Sequence, residues 1–399
     1  MPSFLKCISQ FHFRLVKISW VFCLMVFILF FSNCTKKEKL TEAELISFCE
    51  ELERSIRMGN PSVFNNALYE TGLQKRVFEG YNAGGSLKYV LNKTLNNHVK
   101  LGDGILSTVW EGDYDFEVTR IYEDDEGNPW AVFRLFNGIY LNYLEFQFEK
   151  ILDQIKITEG YYYNTGQKLS ELIRDLVFLE IGYDGENKTD KFIKKYYLEG
   201  MQFLLAAEEQ INLGNLEGAI DTFDYMDKRL IEIPFFATTR LSLLSNIDEQ
   251  KAFQFLEEFN DMHPNRPKFN LLNDMQLSMY RGHVENTRKI IHDLSKLVGN
   301  DAVLDYYEAN AVMNNGDFEK AVFYFEKFIE QKPELSFGYM GKLHSWIGKK
   351  NYENATLGFN EIINKFNITV PELESSLLNF PEFLDSEEYL LWKKGLEKI

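Results

Sequence analysis

The feature that most constrains this chain is a 34-residue period in its second half. Gly214-Asn215-Leu216-Glu217-Gly218-Ala219 recurs as Gly316-Asp317-Phe318-Glu319-Lys320-Ala321, an offset of 102, or three times 34. Gly282-His283-Val284-Glu285-Asn286-Thr287 sits 68 after the first and 34 before the second. Tyr352 and Ala355 continue the register, while Asp248-Glu249-Gln250-Lys251-Ala252 falls one residue short of it. Four residues after each small residue stands a bulky one: Phe223, Leu256, Ile291, Phe325 and Phe359. Seven after it stands another: Met226, Phe259, Leu294, Phe328 and Ile362. Spacings of four and seven put these residues on one helix face. A small residue at the head of that face lets two helices approach closely. Glycine in the preceding turn tolerates a left-handed backbone, and Pro264 and Pro333 fall where a helix must end. Each unit can bury its stripe only on its neighbours, which makes a solenoid.

The period, the turn and the helix stripe resemble the tetratricopeptide repeat. The resemblance implies five helical hairpins over 200–370, at about 200–233, 234–266, 268–301, 302–335 and 336–369. It is weaker in the first helix of each hairpin. There the family's large residue is matched by Phe203, Phe236, Leu271, Asp305 and Tyr339, and its small residue by Ala207, Arg240, Met275, Ala309 and Leu343. The family binds peptides in a groove lined by these first helices. Carrying its groove positions over gives Gln276, Tyr280, Tyr306, Asn310, Met313 and His344. Tyr and Met would supply contact area, Asn and Gln hydrogen bonds to a peptide backbone. No Lys or Arg stands among them to capture a C-terminal carboxylate. Residues 371–399 read as a C-terminal capping helix, with Asp385 or Ser386 as its N-cap.

The other end of the chain reads as an export signal over 1–33. Lys6, Arg14 and Lys17 precede an apolar run over 18–31, which is short for a membrane span and right for a signal-peptide core. Phe31-Ser32-Asn33-Cys34 then resembles a bacterial lipobox, with Phe31 and Asn33 where the family prefers Leu and Gly or Ala. The resemblance implies diacylglycerol and an N-acyl chain on Cys34, enough chains for firm attachment, and a tether over 34–42. An uncleaved signal anchor and a cleaved signal without lipid are the alternatives, and all three export the chain. Thr35 and Lys36 lack the Asp that holds lipoproteins at the inner membrane in some bacteria, which favours the outer membrane. Formal net charge is −17; loss of Lys6, Arg14 and Lys17 with the leader leaves −20. That charge argues against nucleic acid as a partner and against electrostatic holding by anionic lipids. Of four cysteines, Cys7 and Cys23 lie in the leader and Cys34 is the lipid site, so in the lipidated form Cys49 is left without a disulfide partner.

Between leader and repeats lies an α+β domain over 43–181. Thr41-Glu42-Ala43-Glu44 is a capping box, followed by Leu45, Phe48, Cys49, Leu52 and Ile56 at helical spacing. A second helix is expected at about 72–81, and Gly84-Gly85-Ser86 and Gly102-Asp103-Gly104 read as turns. Four segments rich in Val, Ile, Phe and Tyr follow, at 115–122, 130–136, 140–152 and 155–163, separated by turn residues. They read as an antiparallel meander. A helix with Leu169, Leu172, Ile173 and Leu176 on one face leads to a linker and first repeat helix over 182–199. Helices before a meander resemble the cone-shaped fold of the nuclear-transport-factor-two and ketosteroid-isomerase-like superfamily. That resemblance implies an apolar pocket, with Tyr140, Tyr143, Glu145 and Tyr161 as nominees; the plainer reading makes them core and pleat.

Catalytic signatures are missing. The six His include no pair on adjacent turns of one face, and no HExxH, GxSxG, Walker loop or GxGxxG occurs. No catalytic residue, metal ligand or cofactor is therefore expected. The expected function is an envelope-anchored lipoprotein that scaffolds envelope proteins or peptides through its repeats. The alternative is a small-molecule binder or enzyme using a pocket in the α+β domain.

Overall fold

A computed structural model of the chain describes residues 39–79, 85–98, 100–184 and 191–396. The leader, Cys34 and the first part of the tether lie outside the described residues, as does part of the 182–199 linker. The fold is an α+β domain followed by an all-α solenoid of helical hairpins, and the two share cores.

The first domain opens with α1 (Glu42–Arg57), α2 (Ser62–Ala67), α3 (Glu70–Val77), α4 (Gly85–His98) and α5 (Leu101–Glu111). The capping box at Thr41 is formed, with Glu44 N donating to Thr41 Oγ1 at 3.3 Å and Thr41 N to Glu44 Oε2 at 2.9 Å. Cys49 is fully buried on the inner face of α1, and burial pushes its thiol up, so it behaves as a small hydrophobe. The Gly102-Asp103-Gly104 turn is not there: all three residues lie within α5. Gly102 is needed for close approach, because a Cβ would run into the Pro61 carbonyl. Its N–H donates to Asn65 Oδ1 at 2.8 Å instead. Gly85 likewise starts α4 rather than a turn.

The meander forms as β1 (Asp115–Glu123), β2 (Pro129–Phe136), β3 (Leu141–Ile151) and β4 (Gln154–Tyr162), antiparallel in chain order, with a two-residue β5 (Gln167–Lys168) at one edge. Side chains alternate across a strand, and here both faces are buried. Phe116, Phe133, Phe146 and Phe148 point to the helices. Phe64 of α2 sits among three of them, 6.0 Å from Phe116 and 5.9 Å from Phe133 and Phe146. Val132, Phe136, Tyr143 and Tyr163 point the other way, into a core shared with the repeats. Extra residues at Thr119 in β1 and Thr158 in β4 form bulges that rephase these two strands so that both faces stay filled.

The solenoid begins after α6 (Leu169–Asp184) with α7 (Lys191–Asn212), whose start lies upstream of the expected first unit. Its hairpins are α7 with α8 (Leu216–Asp224), α10 (Pro234–Ile247) with α11 (Glu249–Met262), α12 (Pro267–Tyr280) with α13 (Val284–Val298), α14 (Ala302–Asn314) with α15 (Phe318–Gln331), and α16 (Ser336–Gly348) with α17 (Tyr352–Phe366). A short α9 (Lys228–Ile231) interrupts the first hairpin's second helix. Every small, i+4 and i+7 residue of the register is buried, from Ala219, Phe223 and Met226 to Ala355, Phe359 and Ile362. The single capping helix over 371–399 is instead three: α18 (Val370–Ser376), α19 (Pro381–Leu384) and α20 (Glu387–Leu396). Ser386 caps the last, accepting from Tyr389 N at 3.3 Å.

The turns explain the register. Gly214, Gly282 and Gly316 carry φ of +73°, +69° and +82°, and in the fifth unit the same place is held by Lys350 at +57°. The second unit omits this left-handed residue: Asp248 both ends α10 and caps α11. That deletion is the missing residue of its register. Lys350→Gly should therefore stabilise the native state by about 1 kcal/mol, since a side chain in this region is strained by that order. Urea titration against wild type checks it; an unchanged or lower midpoint would count against the assignment.

Candidate functional site

Two places carry polar side chains in numbers: the junction between sheet and repeats, and the first helices of the third to fifth hairpins. At the junction, Arg134 stands on β2 with 1% of its side chain exposed. Its guanidinium pairs with Asp115, with Glu117 at 2.6 Å and with Asp301. Asp301 is also the N-cap of α14, accepting from Val303 N at 3.1 Å, and accepts from Tyr143 Oη at 2.8 Å. Lys332, just past α15, pairs with Glu117. One buried cation thus ties two strands to the start of a repeat helix. Burial works against the charge on Arg134, but Asp301, Asp115 and Glu117 outweigh it and raise its pKa.

Glu145 forms a second node with 1% exposure. It accepts from Tyr122 Oη and pairs with Lys268 on α12. The Lys268 ammonium also lies 5.9, 5.5 and 5.8 Å from the rings of Trp130, Tyr161 and Tyr163, within cation–π range. Three of the pocket nominees are accounted for here. Tyr143, Glu145 and Tyr161 face the repeats, not a cavity under the helices, and the helix side of the sheet is filled with phenylalanine. Tyr140 is exposed in the β2–β3 turn. The pocket implied by the isomerase-like resemblance is thus replaced by packing.

Glu117 makes the junction pH-sensitive. Burial raises its pKa, but Arg134 and Lys332 outweigh this and hold the carboxyl below its ordinary value. A folded pKa below the unfolded one contributes stability that is present above the unfolded value, about 4.3, and lost as pH falls through the folded value. Glu117→Gln should therefore melt lower than wild type at neutral pH, and the difference should shrink as pH falls below about 4. Differential scanning calorimetry across pH checks this; a constant difference would refute it.

The groove candidates divide. Gln276, Asn310 and His344 recur at 34-residue intervals, one on each of α12, α14 and α16, all half-buried. Tyr280 is 46% exposed and stacks on Phe253 at 3.9 Å. Asn310 Nδ2 donates within its own helix to Tyr306 O at 2.8 Å. Tyr306 belongs elsewhere: its hydroxyl donates to Gly138 O at 2.9 Å, and its ring packs 5.3 Å from Phe136. It joins the sheet to the repeats and offers no groove surface. Met313 packs beside Phe325, its sulfur 3.5 Å from Ser345 Oγ. His344 is overlaid by Phe380 at 5.1 Å, and its buried Nε2 has no hydrogen-bond partner. Burial depresses its pKa, which keeps the ring neutral at pH 7.

A polar cavity of 330 Å³ opens between α11, α12 and α13. Glu257, Asp261 and Asp274 give it a net acidic lining, with Arg281 paired to Glu257. Among the described residues, no group of three or more His, Cys, Asp or Glu is placed to hold a metal ion.

No protein-family model matches the chain. No curated protein matches it either. Among solved structures it is similar to MamA 41-end from Desulfovibrio magneticus RS-1, at 14% identity and a TM-score of 0.34, over 42% of this chain and 96% of that one. It is similar to the MamA RS-1 ArsTM double mutant at the same identity and score, over 42% and 95%. The solenoid assignment rests on this chain's own register and hairpin packing.

Proposed function

We propose that the chain is an exported, lipid-anchored scaffold that binds an extended peptide or partner helix along the first helices of its third to fifth hairpins. One observation carries the reading: Gln276 and Asn310 stand one solenoid period apart on half-buried helix faces, the third position of the column, His344, being covered by Phe380. Amide groups at a fixed rise suit the regular backbone of a bound segment. Tyr280, rigid on Phe253, adds an aromatic anchor beside it. The anchor is Cys34 and the compartment the bacterial envelope, with the outer membrane favoured. The scaffold performs no catalysis. A small-molecule site in the α+β domain has less behind it, because its nominees are engaged with the repeats.

Photo-crosslinking from envelope membranes tests the reading. A benzophenone amino acid at Gln276 or Asn310 should trap the same partner, and at Phe323, on α15, none. Crosslinks confined to Phe323, or no crosslink together with a small molecule retained by the α+β domain in native mass spectrometry, would sink the scaffold reading. Anchoring is tested separately: radiolabelled palmitate should enter the wild type and not Cys34→Ala.

A further inference from the structure

The described chain begins at one identifiable edge of the sheet. Lys39 pairs with Glu123 at the end of β1 at 2.9 Å, and Glu44 pairs with Lys150 near the end of β3 at 3.2 Å. The other end of α1 lies at the opposite edge, where Arg57 Nε donates to Phe116 O and Val118 N to Glu53. The meander therefore puts the β1–β2 turn, the β3–β4 turn and the start of α1 together. The β2–β3 turn lies at the far edge, where Gly138 meets Phe337 of the fifth hairpin.

The β3–β4 turn has an unusual apex. Leu152 is 93% exposed and, with Asp153, has positive φ, +49° and +59°. Such two-residue turns favour Asn and Gly. A leucine in the left-handed region, wholly exposed, is stabilised neither by packing nor by its backbone. Around it the edge is acidic: Asp125, Glu126 and Asp153 are exposed, while Lys39 pairs with Glu123 and Lys150 with Glu44.

The chain from Cys34 to Leu40 spans at most about 20 Å when fully extended. We propose, resting on acylation of Cys34, that this edge lies against the bilayer, with Leu152 in the headgroup–acyl boundary. The lipid surface it fits is zwitterionic, since exposed carboxylates are repelled by anionic headgroups. The fifth hairpin and the cap then point away from the membrane, and the polar column of the repeats opens to the surrounding compartment.

The acylated protein itself is the test sample, because its anchor fixes membrane binding whatever the edge does. An environment-sensitive fluorophore is placed on Leu152→Cys or, as a control, on Ile139→Cys at the far edge; acylation blocks Cys34 and burial protects Cys49. In phosphatidylethanolamine–phosphatidylcholine vesicles containing brominated acyl chains, the label at 152 should shift to the blue and lose most of its emission. The label at 139 should stay solvent-like. Adding phosphatidylglycerol should weaken quenching at 152 at low salt, and added salt should restore it. A solvent-like label at 152 on protein whose acylation is confirmed by mass overturns the orientation alone. Quenching strengthened by anionic lipid overturns the zwitterionic preference. An intact mass without acyl chains on Cys34 overturns the orientation and the anchor together.

Discussion

Arg134→Ala is expected to destabilise the native state by about 3–5 kcal/mol, the usual cost of removing one partner from a buried ion cluster. The cost comes from what remains. Asp301 has 1% of its side chain exposed, and Asp115 and Glu117 have 16% and 26%. Without the guanidinium, Lys332 still reaches Glu117 and Arg57 still reaches Asp115 at 3.9 Å, but neither pairs with the buried Asp301. Asp301 would also be a weaker cap for α14, its charge no longer balanced. Urea unfolding measures the loss, followed by far-ultraviolet circular dichroism and by Trp130 fluorescence in a background with Trp110, Trp346 and Trp392 replaced by Phe. The two probes should also separate, because Trp130 reports the junction and the dichroism is dominated by helices. A loss under about 1 kcal/mol would mean that water or rearrangement replaces the cation, and that the junction is not held by this cluster.

Phe136→Ala is expected to cost a similar 3–5 kcal/mol, the range for truncating a buried aromatic. Its ring lies 5.3 Å from Tyr306, 6.1 Å from Tyr307, 6.4 Å from Phe328 and 5.4 Å from Phe337. These come from the fourth and fifth hairpins, so one strand residue plugs the gap between two repeats. The loss should appear in hydrogen exchange as faster exchange in α14 and α16, with α1 and α2 unaffected. Equal loosening of both halves would contradict the separate core assigned to this face of the sheet.

Much of the fold was legible. The 34-residue register located every second helix of a hairpin, because glycine, small residue and apolar stripe each answer a local geometric need. The four strands fell within two residues of their expected bounds, because aromatic and branched residues alternate there and turn residues separate them. The second burial of the sheet was not legible. Arg134 and Glu145 alternate with Phe133, Leu135, Leu144 and Phe146, which reads locally as a polar solvent face. Their burial depends on Asp301 and Lys268, far away in the chain, and no local pattern contains that. Helix α5 was missed because two glycines mark a break by propensity, and only the closeness of Pro61 explains Gly102. Of the groove residues, family register placed Gln276, Tyr280 and Asn310 on accessible helix surface. It could not foresee that Tyr306 would serve the sheet, since the family's repeats carry no such domain.

The doubly covered sheet bears on the order in which the chain assembles. Arg134 and Asp301 are 167 residues apart, so their contact closes a long loop and forms late. Until then the strand face that awaits the repeats presents Arg134, Glu145 and tyrosine hydroxyls to water beside Val132, Phe136 and Leu141, while Phe116, Phe133, Phe146 and Phe148 are already covered by nearby helices. The chain emerges from synthesis N-terminus first, and its early half must wait unpartnered. Putting the ionisable side chains on the waiting face keeps that half soluble during the interval, and closing the ion cluster then marks the moment when both halves are present.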